Sequence, residues 1–395
     1  MLGATDRPDA TVMGSLDEVD TLVDADAHVR EDLDLLLPYV DESHSGARHI
    51  MRSVSEQRRE LVQATNPTPA TIGGEKRYHS QVDDGEIGPD GEVVAPGAGI
   101  DVNDPDDRVR LQRAFGIDHS VVNPGGLLLG LPTVSNKPSA VALANAYNRW
   151  LLDVFLDESD GSVTGAAVVA AQRPDLAAAE IDRVADEDDI VAVQLLASGH
   201  VPPLSDHRYD PIYEAAQDHD LPVLFHSATL GLARGFPMQH RWHEIYVENK
   251  VVSHPFSHMW NLVKFLYQGL PVRFPDLDFV FQEAGVAWVP YLKWRLDDYY
   301  LQFSNQVPML DRLPSEYIDE RFYFTTQPLG HTARDPTHLA YAVECAGPDS
   351  LMFASDVPHG DFDNPEELFD RVRSHFDAET VEGMMGGTAA EVFGF

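Results

Sequence analysis

Three short segments, far apart in the chain, constrain what it can fold into. Asp24-Ala25-Asp26-Ala27-His28, Phe225-His226-Ser227 and Ala354-Ser355-Asp356-Val357-Pro358-His359-Gly360 each close an apolar, strand-like run. Carboxylates and imidazoles at the ends of buried strands are costly unless they meet a partner or an ion. Only a closed fold brings segments with these separations to one place. A parallel β/α barrel does so, because the C-terminal ends of all its strands open onto one face.

The rest of the chain supplies the rhythm of such a barrel. After a first strand at Thr21–Asp26, apolar runs recur at His119–Asn123, Val163–Ala170, Ile190–Leu196, Leu221–His226, Leu277–Gln282, Phe322–Thr326 and Leu351–Ser355. Helical patterns separate them, over roughly 138–158, 173–187, 208–219, 256–270, 287–303, 335–346 and 365–376. Eight strand–helix units with uninterrupted apolar strands predict an α/β fold of the (β/α)8 TIM-barrel type. A doubly wound open sheet is the alternative, but it leaves the matched polar ends of strands one, five and eight unexplained. Residues 1–20 read as a polar lead-in and 21–395 as the barrel. Residues 30–106 form an insertion or lid after strand one, with basic residues at Arg48, Arg52, Arg58 and Arg59 and a Gly/Asp/Pro-rich stretch near 83–107.

Composition narrows the class of protein. In 395 residues, Asp and Glu total 65 against 28 Lys and Arg, a formal charge of −37. That balance opposes nucleic-acid binding, which needs basic patches. It matches a surface kept soluble in concentrated salt, as in halophilic proteins, where screening removes self-repulsion. No apolar stretch is long enough to span a bilayer, and the N-terminus carries no basic-then-apolar leader pattern. Cys345 is the sole cysteine, so no intrachain disulfide forms. A cytoplasmic enzyme acting on a small molecule is the expectation.

The strand ends carry the candidate chemistry. Asp26 and His28 are two apart on a strand, hence on the same side, and His226 and Asp356 end two further strands. Together they are the expected ligands of one divalent cation. Two nitrogen and two oxygen donors point first to Zn²⁺, with Mn²⁺ or Fe²⁺ also compatible. Strand four, Ile190–Leu196, contains no lysine, which excludes a two-metal site bridged by a carbamylated lysine there. Glu283, at the end of strand six, reads as a general acid/base, an added ligand or a group that orients a histidine. His254 and His258 enter the next helix near Pro255. His258 is preferred as the pocket-facing member and joins Asp356 and Glu283 as a catalytic candidate. His359 reads as a neighbour of Asp356 or a substrate contact, and His240 and His243 as surface residues.

This pattern resembles the amidohydrolase superfamily, and within it the amidohydrolase-related branch that includes aminocarboxymuconate-semialdehyde decarboxylase. The resemblance rests on Val23-Asp24-Ala25-Asp26-Ala27-His28, on His226 and its strand, on Phe274-Pro275-Asp276-Leu277 through Trp288-Val289-Pro290-Tyr291 and Arg295-Leu296-Asp297, and on Phe353-Ala354-Ser355-Asp356-Val357-Pro358-His359. The family's ligands are an H-x-H pair on strand one, a strand-five histidine and a strand-eight aspartate. His28, His226 and Asp356 match, and Asp26 stands where the first histidine usually is. Glu283-Ala284-Gly285 replaces the family's strand-six His-Gly-Gly.

The resemblance implies a metal-dependent enzyme and a homodimer. Hydrolysis of a C–N or C–O bond in a small carboxylate-bearing substrate is the first expectation, and non-oxidative decarboxylation the alternative. A metal-free barrel acting as a binding protein is the rival from another class. Arg52, Arg58, Arg59 and Arg295 are candidates to neutralise a substrate carboxylate, each also able to pair with this chain's own acids.

Overall fold

The computed structural model describes residues 13–31, 33–49, 51, 101–125, 127–197, 199–226, 246–329, 337–359 and 362–395. Eight strands form one parallel sheet in chain order: β1 (Val23–Val29), β2 (His119–Pro124), β3 (Val163–Val168), β4 (Ile190–Leu196), β5 (Val223–His226), β6 (Phe279–Gln282), β7 (Phe322–Thr325) and β8 (Leu351–Met352). The principal helices between and after them are α1 (Pro105–Ala114), α2 (Lys137–Trp150), α3 (Pro174–Val184), α4 (Asp210–Asp218), α5 (Tyr246–Tyr267), α6 (Trp288–Phe303), α7 (Pro314–Arg321), α8 (Thr337–Ala346), α9 (Pro365–Val372) and α10 (Thr388–Phe393). This is the predicted (β/α)8 barrel, and most predicted elements fall within a few residues of their observed bounds.

Helix α5 departs from the expectation. Proline was expected to start it, because the ring is tolerated in a first turn. Among the described residues the helix instead covers Tyr246–Tyr267 and carries Pro255 inside. His254 and His258 therefore share one face at i, i+4 spacing. The expected insertion or lid over 30–106 falls largely outside the described residues, as do Arg52, Arg58, Arg59, Ser227, His240, His243 and Gly360.

β8 meets β1 through individual bonds at the seam. Ala25 N–H donates to Phe353 O at 3.0 Å, Asp356 N–H to Asp26 O at 2.9 Å and His28 N–H to Val357 O at 2.9 Å. The Asp24 carboxylate reinforces this seam from within the wall. It accepts from the Ser355 amide at 2.9 Å and from the Ser355 hydroxyl, and Arg108 Nη2 lies 3.7 Å away. Burial raises the Asp24 pKa, while Arg108 and Ser355 oppose that shift.

Inside the barrel, Val23, Ala25, Val121, Ala166, Ala192, Leu224, Val280 and Met352 form an apolar plug, with Ala389 and Phe393 of α10 packed among them. The C-terminal segment comes close to the strand-one entrance: a Cβ on Gly386 would stand 1.8 Å from Thr21 O, so only glycine fits. Because side chains alternate along a strand, the next inward positions toward the other end are Asn123, Gln194, His226, Gln282 and Thr325, all buried. The interior thus changes from apolar to polar one layer below the mouth. Gln282 Nε2 crosses to Ala25 O at 2.9 Å and ties β6 to β1.

Removing one member of a buried charged pair typically costs about 3–5 kcal/mol. Asp24→Ala is expected to lower the unfolding free energy by an amount in this range, read by denaturant unfolding of the metal-free protein. A loss below about 1 kcal/mol, the worth of an exposed pair, would show that the seam does not depend on Asp24.

Candidate metal centre

At the C-terminal mouth, donor atoms from β1, β5 and the β8 end converge. Single donor atoms of Asp26, His28 and His226 all lie within 4.8 Å of one another, and so do those of His28, Asp356 and His359. His28 Nε2 is 3.1 Å from Asp356 Oδ1 and 3.4 Å from Asp26 Oδ1, and His226 Nε2 is 3.8 Å from Asp26 Oδ1. Donors at about 2.1 Å from one ion lie roughly 3.0–3.4 Å apart at adjacent corners of an octahedron or tetrahedron.

Alignment carries more weight than distance. His28 Nε2 and His226 Nε2 are fully buried beside carboxylates, yet neither forms a hydrogen bond, and Asp26 Oδ2 and His226 Nδ1 are likewise unpartnered. A divalent cation among these donors would satisfy His28 Nε2, His226 Nε2 and an Asp26 oxygen, though not His226 Nδ1, and would supply the missing positive charge. The residues fit such an ion.

Neighbouring groups fix the donors. Asn123 Nδ2 donates to Asp26 Oδ1 at 2.9 Å, Gln327 Nε2 donates to Asp356 Oδ2 at 2.9 Å, and His28 Nδ1 lies 3.2 Å from Pro124 O. Bonding at His28 Nδ1 assigns its proton to that atom and leaves Nε2 free to coordinate. Asp356 and Glu283 adopt φ values of +62° and +56°. This left-handed conformation costs a non-glycine residue roughly 1–2 kcal/mol and turns the chain sharply at the strand end.

Electrostatics prepare the histidines. Burial lowers the pKa of His226 to about 3, and burial, with His359, lowers that of His28 well below its ordinary value. Both rings therefore stay neutral, as coordination requires. Asp26 moves the other way: burial first, then the charges of Asp356, Glu283 and Asp24, raise its pKa well above the usual carboxylate range.

Comparison with known proteins places the chain. An amidohydrolase family model matches residues 23–395. The chain belongs to the amidohydrolase family. No curated protein matches its sequence. Among solved structures, it is similar to 5-carboxyvanillate decarboxylase from Sphingomonas paucimobilis, at 20% identity and a TM-score of 0.66 over 95% of this chain and 99% of that one. An amidohydrolase from Mycobacterium avium subsp. paratuberculosis K-10 aligns at 18% identity and a TM-score of 0.68, over 94% and 99% of the two chains. Dihydroxybenzoic acid decarboxylase from Polaromonas sp. JS666, solved with manganese and the inhibitor 2-nitroresorcinol, aligns at 18% identity and a TM-score of 0.62, over 95% and 97%. At these identities the likeness shows a shared fold.

Within this amidohydrolase, the two helix histidines divide their positions differently from the expectation. His254 Nε2 lies 3.3 Å from Glu283 Oε2. His258 instead pairs through Nε2 with Gln282 O at 2.6 Å, and its ring packs against Phe281 and Trp288 of the outer core. Burial lowers its pKa to about 3, so it sits there as a neutral ring. Arg295 is not at the mouth: it lies exposed on α6 over the Tyr299 ring and bonds the Tyr299 hydroxyl. Sequence reasoning singled out neither Asn123 nor Gln327, although each follows the alternation of its strand toward the mouth. Among the described residues, no helix is long and apolar enough to cross a membrane.

The elevated Asp26 pKa makes metal uptake a proton-releasing event. A cation displaces the Asp26 proton, so apparent affinity is expected to rise with pH through the range where this carboxyl titrates. Calorimetric titration of Mn²⁺ in buffers of different ionisation enthalpy measures the release. Affinity independent of pH, with no proton released, would count against Asp26 as a ligand.

Proposed function

We propose that this amidohydrolase is a Mn²⁺-dependent, non-oxidative decarboxylase of a small hydroxylated aromatic carboxylate. Asp26, His28, His226 and Asp356 would hold the ion. The observation that carries the reading is the buried cluster of donors whose His28 Nε2, His226 Nε2 and Asp26 Oδ2 atoms have no hydrogen-bond partner, beside a partly exposed His359 that pairs with the buried Asp356. The names of the similar structures favour carboxyl loss over the hydrolysis that sequence alone put first. The manganese in one of them, together with the carboxylate-rich donor set here, favours Mn²⁺ over the Zn²⁺ expected first.

When bound, the divalent ion supplies positive charge that binds and polarises the substrate's carboxylate and adjacent hydroxyl oxygens. The chain's own residues handle the proton. His359 Nδ1 lies 2.6 Å from Asp356 Oδ1, its ring packs against His28 at 4.4 Å, and its side chain is 21% exposed. The proton held between His359 Nδ1 and Asp356 Oδ1 passes to the ring carbon that bears the carboxylate. The C–CO₂ bond then breaks, its electron pair returns to the ring, and CO₂ leaves. His359 regains a proton from water at its exposed edge, which completes the balance: carboxylate plus a proton gives arene plus CO₂. The apolar plug and the buried Gln282–Ala25 crossing close the barrel below the reacting atoms, so protons enter from the mouth side.

The test is a parallel assay of the Mn²⁺-loaded protein, in high salt, for CO₂ release from ortho-hydroxybenzoates and for hydrolysis of amides and lactones. Carboxyl loss without hydrolysis is expected. His359→Asn is expected to lower kcat by about 10²–10⁴ while metal content stays unchanged, and His28→Ala to abolish metal binding. Hydrolysis without CO₂ release, or full turnover in His359→Asn, would overturn the proposal.

A further inference from the structure

The four donors just described leave out a carboxylate that lies against one of them. Glu283 Oε2 lies 3.3 Å from His226 Nε2, closer than Asp26 Oδ1 at 3.8 Å. His226 Nε2 nevertheless forms no hydrogen bond, just as His28 Nε2 forms none beside Asp356. The carboxylate thus stands beside a buried imidazole nitrogen whose lone pair no hydrogen bond takes up, a position from which both could face one ion. From Asp356 through His28, Asp26 and His226 to Glu283, five donor atoms follow one another at 3.1–3.8 Å.

The backbone and the neighbouring helix hold Glu283 in that position. Its φ of +56° and the bond from its amide to Thr325 Oγ1 at 3.1 Å fix the turn. Gly285 follows at φ +64°, with its amide on Gln327 O at 2.9 Å, and a Cβ there would meet Pro328 O at 2.7 Å. On the far side, Ser253 Oγ pairs with His254 Nδ1 at 2.8 Å, which directs His254 Nε2 toward Glu283 Oε2, 3.3 Å away. A ligating carboxylate backed by an oriented imidazole is a usual outer-shell arrangement at metal centres.

We infer that Glu283 is a fifth protein ligand of the cation, positioned by His254 and Ser253, and that it biases the site toward a hard, oxygen-preferring ion such as Mn²⁺ over Zn²⁺. The inference rests on the proposed metal site. It assigns the strand-six position a ligand role in place of acid/base chemistry. Charge balance agrees. Glu283, Asp26 and Asp356 are buried together, and Arg108, the one buried Arg or Lys among the described residues, faces Asp24. Three carboxylates with two neutral imidazoles exceed the four donors of a tetrahedral Zn²⁺ site and suit the higher coordination of Mn²⁺.

The experiment uses the full-length, metal-free protein titrated with Mn²⁺ and, separately, Zn²⁺. Mn²⁺ affinity is read by calorimetry, and inner-sphere waters are counted by the field dependence of water-proton relaxation. Glu283→Gln is expected to weaken Mn²⁺ binding by at least about tenfold, the lower bound for losing even an outer-shell partner. It should weaken Zn²⁺ less, and Glu283→Ala should add one inner-sphere water. His254→Asn should weaken Mn²⁺ without changing the water count, as expected of a positioning residue. Unfolding of the metal-free variants, compared with wild type, checks that each still folds. Wild type that binds no Mn²⁺ would sink the metal site itself. Wild type that binds Mn²⁺, with affinity and water count unmoved in both folded Glu283 variants, would overturn only the role of Glu283.

Discussion

Asp26, Glu283 and Asp356 bring three carboxyl groups together in a buried space, and the imidazoles beside them are held neutral by the same burial. Like charges at such distances in a low-dielectric setting repel by several kcal/mol. The raised pKa of Asp26 relieves part of that repulsion, and the chain holds the rest because it is tied down elsewhere. The β8–β1 seam, the Asp24–Ser355 bonds and the two left-handed strand ends fix the backbone on either side of the cluster. The apolar plug below leaves the carboxylates no route to solvent through the barrel. Demand for a cation is therefore a property of the architecture and not of any one ligand.

Much of this was legible in the sequence because a barrel strand announces itself twice. Its body is a continuous apolar run, and its C-terminal end carries the one polar group that the run cannot otherwise explain. Asp26, His28, His226, Glu283 and Asp356 all follow that rule, and all reach the mouth. The alternation that places His226 above Leu224 also places Asn123 above Val121. Asn123 could have been found by the same count, but an amide after a valine run carries no chemistry of its own to draw attention.

The helix histidines were less legible. A proline ordinarily marks a helix start, and that reading split His254 from His258. The observed helix runs through Pro255, so both histidines sit on one face and meet consecutive residues of the β6 end, Glu283 and Gln282. One ring reaches a carboxylate and the other a backbone carbonyl. The difference is set by where the strand turns at Glu283, through a backbone angle that no residue type in Gln-Glu-Ala-Gly dictates. Arg295 shows the same limit from the other side. A cation near a recognisable motif is indistinguishable by sequence from one at the mouth, and here its helix turns it outward onto Tyr299.

The two sides of the cluster differ in their access to water, and that difference organises the chemistry. On the Asp356 side, His359 is partly exposed and can exchange protons with solvent. On the Glu283 side, His254 and Ser253 are buried and their hydrogen bond is internal. A group that must recover a proton in every turnover needs the first environment. A group that must hold a fixed charge against a cation is better served by the second, where nothing mobile competes for its oxygen. Glu283 at the strand-six position is therefore compatible with an acid/base group elsewhere at the mouth, at His359 on the proposed reading. On that reading, the proton traffic would run at the β8 end, and the β6 end would be left to strengthen the hold on the ion.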